Sequence, residues 1–408
     1  MIKKIWILWI VCLCMLAMPS VAVRAAESDI IRNDESGIPD EALYKGILKR
    51  MGKKSNETFT RLEAESLEEL DVGGDIRSLK GIGNLSQLER LCIMSKELRS
   101  LKGVESLYKL EELDIPYNKV KSLKPLKSLT NLQSLMVESC QLTSLRGIEN
   151  LKNLMYLNVV DNKISSLKPL ANLTNITTLS IYNNKLKSLN GIENLVNLTT
   201  LDAGGNKLAS VKGIGKLTNL SVLEIGGNKL TSVNEIKRLK KLEKLDISHN
   251  KIKKLPNLKN FKKLTWSSLS LSIRNNRLTE KEIRQKLPAR FFKKGKARKQ
   301  WLKEQTRFQN LDCTVKLIKP SNTKKINKNT KRIVGRVGRA MKGVYVELCC
   351  LSMGVGGEKV KVDENGVFVF DNLNLKRWAG SKVQFRLHMM DDHGEDLLFI
   401  GGDTVFYL

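Results

Sequence analysis

The sequence predicts an α/β solenoid of short parallel strands, led by an N-terminal helical cap and followed by an all-β module. Three observations carry that reading. Between residues 85 and 278 the chain repeats one 22-residue pattern, its lead apolar residue recurring at Leu85, Leu107, Leu129, Leu151, Leu173, Leu195, Leu217, Leu239 and Phe261 without a slip. Ahead of the repeats a short segment has apolar residues at helical spacing. Behind them the pattern changes to short alternating strands separated by turn residues.

Residues 151–170 read LKNLMYLNVVDNKISSLKPL and residues 173–192 read LTNITTLSIYNNKLKSLNGI. A period of this length with L-x-x-L-x-L-x-x-N-x-L spacing is the signature of a leucine-rich repeat. The step Leu157-Asn158-Val159 alternates with period two, as a strand buried on one face does. One repeat cannot bury its own apolar edge, so stacked repeats must build the core together, with strands on a concave face and 3-10 or irregular chain on the convex one. Asn118, Asn162, Asn184, Asn206, Asn228, Asn250 and Asn276 hold the position after each strand, where an inward amide can satisfy backbone groups left bare at the bend. Lys96 and Cys140 interrupt that row, the first expected to turn outward and the second to be buried.

In chain order, residues 1–26 combine Lys3 and Lys4, an apolar run from Ile5, a Pro19-Ser20 break and small residues up to Ala26. That order is expected of a cleaved secretory signal peptide. No later apolar run is long enough to span a membrane, and no LPxTG-like sorting signal is recognised. Residues 27–62 form a polar linker and the helical cap. Pro39 and Asp40 suit a helix start, and Leu43, Ile47, Leu48 and Met51 form its apolar side. The solenoid is expected over 63–279, beginning with a repeat one residue short and ending with one about four residues long.

Residues 280–312 form a basic C-terminal cap and linker, helical near Glu280, interrupted at Pro288 and anchored by Phe291, Phe292, Trp301 and Leu302. Residues 313–408 read as an antiparallel β-sandwich, with strands near 315–318, 333–337, 344–351, 367–370, 383–387 and 404–408.

Composition narrows the function classes. The 408-residue chain has a formal charge of +29, about +26 once Lys3, Lys4 and Arg24 leave with the leader. Such a balance implies an anionic partner or surface, envelope polymers more readily than nucleic acid. Lys293, Lys294, Lys296, Arg298 and Lys299 are the densest candidate contact for it. Cys92, Cys140, Cys313, Cys349 and Cys350 are odd in number and lack framework or zinc spacing. No G-x-S-x-G, H-E-x-x-H or phosphate-binding loop occurs, so no enzyme, cofactor or metal is expected. Asp391, Asp392, Glu395 and Asp396 lack the alternation of a calcium loop and read as a solvated turn.

The better candidate is the hollow of the sheet, where the residues flanking the buried leucines point. Tyr117, Tyr156 and Tyr182 fall within four successive repeats, about 14 Å at the usual strand spacing. Asp202, Glu224 and Asp246 occupy one column in three successive repeats, and Asp114, Glu138 and Asp161 add further acids. A basic chain with an acidic, tyrosine-bearing hollow is expected to bind a protein there, since tyrosine gives large contact area at low entropic cost. Gly204-Gly205 and Gly226-Gly227 either leave room for a partner backbone or ease a tight bend.

The I-P-D-x-x-L start at 38–43, the 22-residue repeats and the L-K-P-L steps at 123–126 and 167–170 resemble those of the internalin-type bacterial leucine-rich repeat proteins. The resemblance covers about residues 38–278. It implies a following immunoglobulin-like domain, which the strings KVKVDENGVFVFDNL and AGSKVQFRLHMMDDHGED also resemble. It further implies a protein of a Gram-positive bacterium, secreted or held non-covalently at the cell surface, whose concave sheet binds another protein. The alternative expectation is a structural envelope protein held on anionic cell-wall polymers by its basic C-terminal region.

Overall fold

The computed structural model describes residues 29–267, 269–292, 295–307, 315–319, 326, 329–337, 344–350, 359–363, 365, 367–378, 382–390, 396–401 and 405–407. The expected leader, Lys293, Lys294, Cys313 and residues 391–395 lie outside these. Among the described residues no helix is long and apolar enough to cross a membrane.

Strand β1 (Ile30–Ile31) pairs antiparallel with β2 (Phe59–Thr60), and between them runs helix α1 (Glu41–Arg50). Asp40 starts that helix by accepting the Leu43 N–H at 3.0 Å, and its other carboxylate oxygen accepts the N–H groups of Arg77 and Ser78 at 2.7 and 2.9 Å. One side chain therefore caps the helix and ties it to the first turn of the coil. Leu43, Tyr44, Ile47 and Leu48 are buried, with Met51 packed at the margin. A one-turn helix α2 (Arg61–Ala64) follows, held by a reciprocal Thr60–Glu63 capping box.

The repeats give strands β3 (Glu69–Gly73), β4 (Arg90–Met94), β5 (Glu112–Asp114), β6 (Ser134–Met136), β7 (Tyr156–Asn158), β8 (Thr178–Ser180), β9 (Thr200–Asp202), β10 (Val222–Glu224), β11 (Lys244–Asp246) and β12 (Leu271–Ser272). They stack in chain order into one parallel sheet. Partners such as Leu157 and Leu179 lie 22 residues apart. The first pairing, Leu70 with Leu91, is one residue short, and the last, Leu245 with Leu271, is four residues long, as the repeat lengths require. Behind the sheet the chain turns through 3-10 segments such as Lys124–Ser128 and Lys168–Leu170, where Pro125 and Pro169 pre-set the backbone. Gly147 and Gly191 follow these proline turns at φ near +110°, so close that a Cβ would lie 2.4 Å from the carbonyl oxygens of Leu123 and Leu167.

Leucines and isoleucines of every turn join one continuous core from Ile31 to Leu302. The buried asparagines fasten successive turns. The Asn184 amide donates to the carbonyls of Val159 at 2.9 Å, in the preceding turn, and of Ile181 and Tyr182, both at 3.2 Å. Its oxygen accepts the Ile164 N–H at 2.9 Å. Asn162, Asn206, Asn228 and Asn250 repeat the pattern. At Cys140 the thiol alone reaches the equivalent carbonyl, Ile115, at 3.2 Å. Lys96 is exposed as expected, and the buried Ser95 beside it donates to the Ile76 carbonyl at 2.9 Å.

A second asparagine row, not anticipated, runs along the other side of the coil. The amides of Asn131, Asn153, Asn175, Asn197 and Asn219 each donate to a carbonyl 23 residues back, at 2.8–3.0 Å.

After the last turn come helices α3 (Glu280–Lys286) and α4 (Lys296–Arg307). Phe291, Trp301 and Leu302 are buried in the core, the first two edge to face with ring centres 5.8 Å apart. Gln305 accepts the Ile273 N–H just past the final strand at 3.0 Å, and the Arg290 guanidinium donates to the carbonyls of Phe261, Lys262 and Leu264. The described remainder consists of β13 (Val315–Lys319), β14 (Ile333–Val337), β15 (Val344–Cys350), β16 (Lys359–Lys361), β17 (Val367–Phe370), β18 (Lys382–Met390), β19 (Asp396–Gly401) and β20 (Val405–Tyr407). β13, β14 and β17 form one antiparallel sheet; β16, β15, β18 and β19 form another, with β20 also on β18. Two of these strands, β16 and β19, were not expected. Asp396, read as part of a turn, begins β19, whose interior is the apolar run 397–400.

Candidate functional site: the open face of the sheet

Because the turns stay in register, side chains on the open face fall into rows, each crossing the strands at about 4.8 Å per step. The expected residues divide among four. Tyr156 lies in the row before the central leucine, and Asp114, Asp202, Glu224 and Asp246 in the row after it. Two positions further along come Glu138 and Tyr182, and next to those, Tyr117 and Asp161. The three tyrosines therefore do not form one patch. Tyr156 is four residues earlier along its strand than the Tyr182 position, about 13 Å away. It is also less exposed than Tyr117 and Tyr182, which are 47% and 42% exposed.

The last of these rows has a property that the repeat pattern concealed. Tyr117, Ser139, Asp161, Asn183, Gly205, Gly227, His249 and Asn275 all have φ between +51° and +65°. The chain must turn sharply just before each buried asparagine, and the left-handed conformation accomplishes it. Glycine, asparagine, aspartate and histidine tolerate this region best, and their concentration in one column was the available signal. Gly205 and Gly227 accordingly ease the bend. Their neighbours Gly204 and Gly226 serve another purpose. A Cβ on Gly204 would lie 2.9 Å from the Tyr182 ring, and one on Gly226 would lie 2.9 Å from the Asp246 carboxylate. The room is taken by the chain's own side chains, so it is not left for a partner backbone.

Asp202, Glu224 and Asp246 stand side by side in register. Burial, with Glu224 and Asp246 adding repulsion, pushes the Asp202 carboxyl up from its usual range to about 6, against the Gly204 N–H it accepts at 3.0 Å and the nearby Lys244. Lys244 pairs with Glu224 at 2.7 Å, and Asp246 accepts the Ser248 N–H at 2.8 Å. At the other end Arg90 bridges Asp71 at 3.0 Å and Glu112 at 3.5 Å, and burial raises the Asp114 carboxyl. Between these groups the Tyr117 hydroxyl lies 3.5 Å from Glu138, whose charge raises its pKa, and the Asn183 amide donates to Asp161.

Met94, 63% exposed on the same face, and Arg90, the cation among the first acids, are residues the repeat pattern points into the hollow but does not single out for binding. Burial, with Arg274 adding to it, lowers the His249 pKa to about 3, so the imidazole is neutral at ordinary pH; its Nδ1 lies 2.7 Å from the Asn275 amide. Burial likewise pushes the thiols of Cys92 and Cys140 up to about 11 and 12, which leaves neither as a ready nucleophile. Among the described residues no group of three or more His, Cys, Asp or Glu is placed to hold a metal ion. In the basic segment Lys299 is exposed, while the Arg298 guanidinium lies over the Trp266 ring, 5.6 Å from its centre. Of Lys296 only its place at the start of α4 is described.

Family comparison agrees with the coil. A profile described as Leucine Rich repeats (2 copies) matches residues 196–238, and one described as Leucine Rich Repeat matches residues 241–264. The chain carries leucine-rich repeats. Among solved structures, the functional domain of InlJ from Listeria monocytogenes, which includes a cysteine ladder, aligns over 87% of this chain and 94% of its own at 16% identity and a TM-score of 0.50, a likeness of fold. An internalin from the same organism aligns over 60% of this chain and 84% of its own at 26% identity and a TM-score of 0.45. A leucine-rich repeat protein of Leptospira interrogans aligns over 55% of this chain and 67% of its own at 28% identity and a TM-score of 0.49. A search of curated protein sequences finds no match.

Proposed function

We propose that this is a bacterial protein, secreted or held non-covalently at the cell surface, whose open sheet face recognises a protein partner. The observation that carries the reading is the chemistry of that face. On a chain of formal charge +29 it presents the Asp202–Glu224–Asp246 row beside Tyr182, with Tyr117 and Met94 exposed further along. A rigid sheet displaying exposed aromatics next to carboxylates suits a partner with a basic, partly apolar surface. In this reading residues 1–26 are a signal peptide, 27–62 a linker and helical cap, and 280–312 a second cap. Residues 313–408 form an immunoglobulin-like sandwich that acts as a spacer.

Affinity capture with the protein from residue 27 onward tests the reading. The double change Tyr117→Ala, Tyr182→Ala is expected to abolish capture of a discrete protein that survives high salt, and Tyr156→Ala to weaken it less. Capture of anionic material alone, lost in salt and indifferent to the tyrosines, would refute it.

A further inference from the structure

The carboxylates of the sheet have a counterpart on the adjoining flank. The residue after each buried asparagine is almost always basic, and Lys163, Lys185, Lys207, Lys229 and Lys251 follow five successive members of that row. All five are exposed, and among the described residues none of them forms an ion pair. Their backbone N–H groups donate to carbonyls of the preceding turn at 2.7–2.9 Å, so the side chains leave the coil at one fixed interval. Five residues further on, Lys168 and Lys212 continue the charge, their N–H groups held by Ser166 and Ser210. The strips between, 163–168, 185–190, 207–212, 229–234 and 251–256, contain no acidic and no aromatic residue.

We propose that this lysine flank binds a linear acidic glycan bearing one carboxylate per sugar, laid along the axis of the coil. Successive strands are about 4.8 Å apart, and the backbone positions of lysines one turn apart follow that spacing. That is inside the Debye length of about 8 Å at physiological salt, so their potentials add along the row. A regular row of like charges is matched by a polymer with regularly spaced opposite charges. Lysine meets carboxylate and phosphate alike as a point charge, without arginine's planar fork, so the test below compares the two. The absence of aromatics removes the stacking platforms on which single-stranded nucleic acid depends. This surface is separate from the sheet face, so the proposal stands or falls independently of protein binding there.

The test titrates the full chain with fluorescent oligogalacturonate at low salt. The triple change Lys185→Ala, Lys207→Ala, Lys229→Ala is expected to weaken binding at least tenfold and to flatten its salt dependence. The equal-charge control Lys127→Ala, Lys216→Ala, Lys237→Ala, on exposed lysines of the 3-10 segments, should change it less than threefold. Circular dichroism confirms that both variants fold. No binding by the unaltered chain, or equal losses in the two variants, would overturn the proposal. So would tighter binding of an oligothymidylate of the same charge.

Discussion

Two asparagine rows run along the coil and do the same thing in different surroundings. In one, represented by Asn184, the amide is buried, donates to three carbonyls and accepts one N–H. In the other, represented by Asn175, the amide is exposed and donates to the Lys152 carbonyl at 2.9 Å. Period, residue type and reach toward the preceding turn are shared. What differs is whether water can replace the asparagine once it is gone. A buried group deprived of its only partner, as the Ile164 N–H would be, retains the full cost of its desolvation, and an exposed carbonyl is rehydrated.

The largest effect should therefore come from Asn184→Ala, which leaves the buried Ile164 N–H without its acceptor and takes one of two amide donors from the Val159 and Ile181 carbonyls, the others being Asn162 and Asn206. A loss of about 2–3 kcal/mol in urea unfolding is expected. A loss below about 1 kcal/mol would mean that water enters the coil and that the two rows do not differ in kind.

Asp202 sharpens the comparison, because it is largely buried but incompletely compensated. Its carboxyl is raised from 3.8 to about 6 in the folded protein, so the native state binds the proton more tightly than the unfolded chain. Stability attributable to this group is highest below pH 4, falls as pH rises from about 4 to 6, and stays reduced above that. Asp202→Asn, whose amide oxygen can still accept the Gly204 N–H, should then stabilise the protein by on the order of 2 kcal/mol at pH 7 and by little at pH 4. Thermal unfolding at the two pH values checks this, and a gain of equal size at both would remove the titration as its cause.

The smallest effect belongs to Asn175→Ala, expected to cost under about 0.5 kcal/mol in the same unfolding assay. A cost near that of Asn184→Ala would show that the exposed row is also shielded from water.

Much of the coil was legible because its determinants are local and periodic. The leucine offsets give strand, bend and register, and an asparagine that recurs at the same offset in apolar surroundings announces a buried amide. Asn175 and its equivalents are equally periodic, but a polar residue between exposed neighbours reads as solvated surface. Only the approach of one turn to the next reveals the carbonyl it meets. The face was less legible. Tyr117, Tyr156 and Tyr182 are close in repeat number, yet their offsets along the strand separate them. Gly204 and Gly226 gave no hint that Tyr182 and Asp246 would fill the space above them, since those side chains come from neighbouring turns.

The left-handed residues at the bend also govern how such a face can evolve. Tyr117, Ser139, Asp161, Asn183, His249 and Asn275 differ in size and charge, so selection has wide freedom over what this row presents. It has little freedom over branching, because valine, isoleucine and threonine pay heavily for a positive φ. None of the three occurs at these positions. A partner that required a β-branched contact at this height would have to be met from the neighbouring row, where Val160 already stands. Adaptation to new partners along this edge is thus channelled toward unbranched polar, aromatic and glycine residues, a restriction imposed by the bend before any partner is encountered.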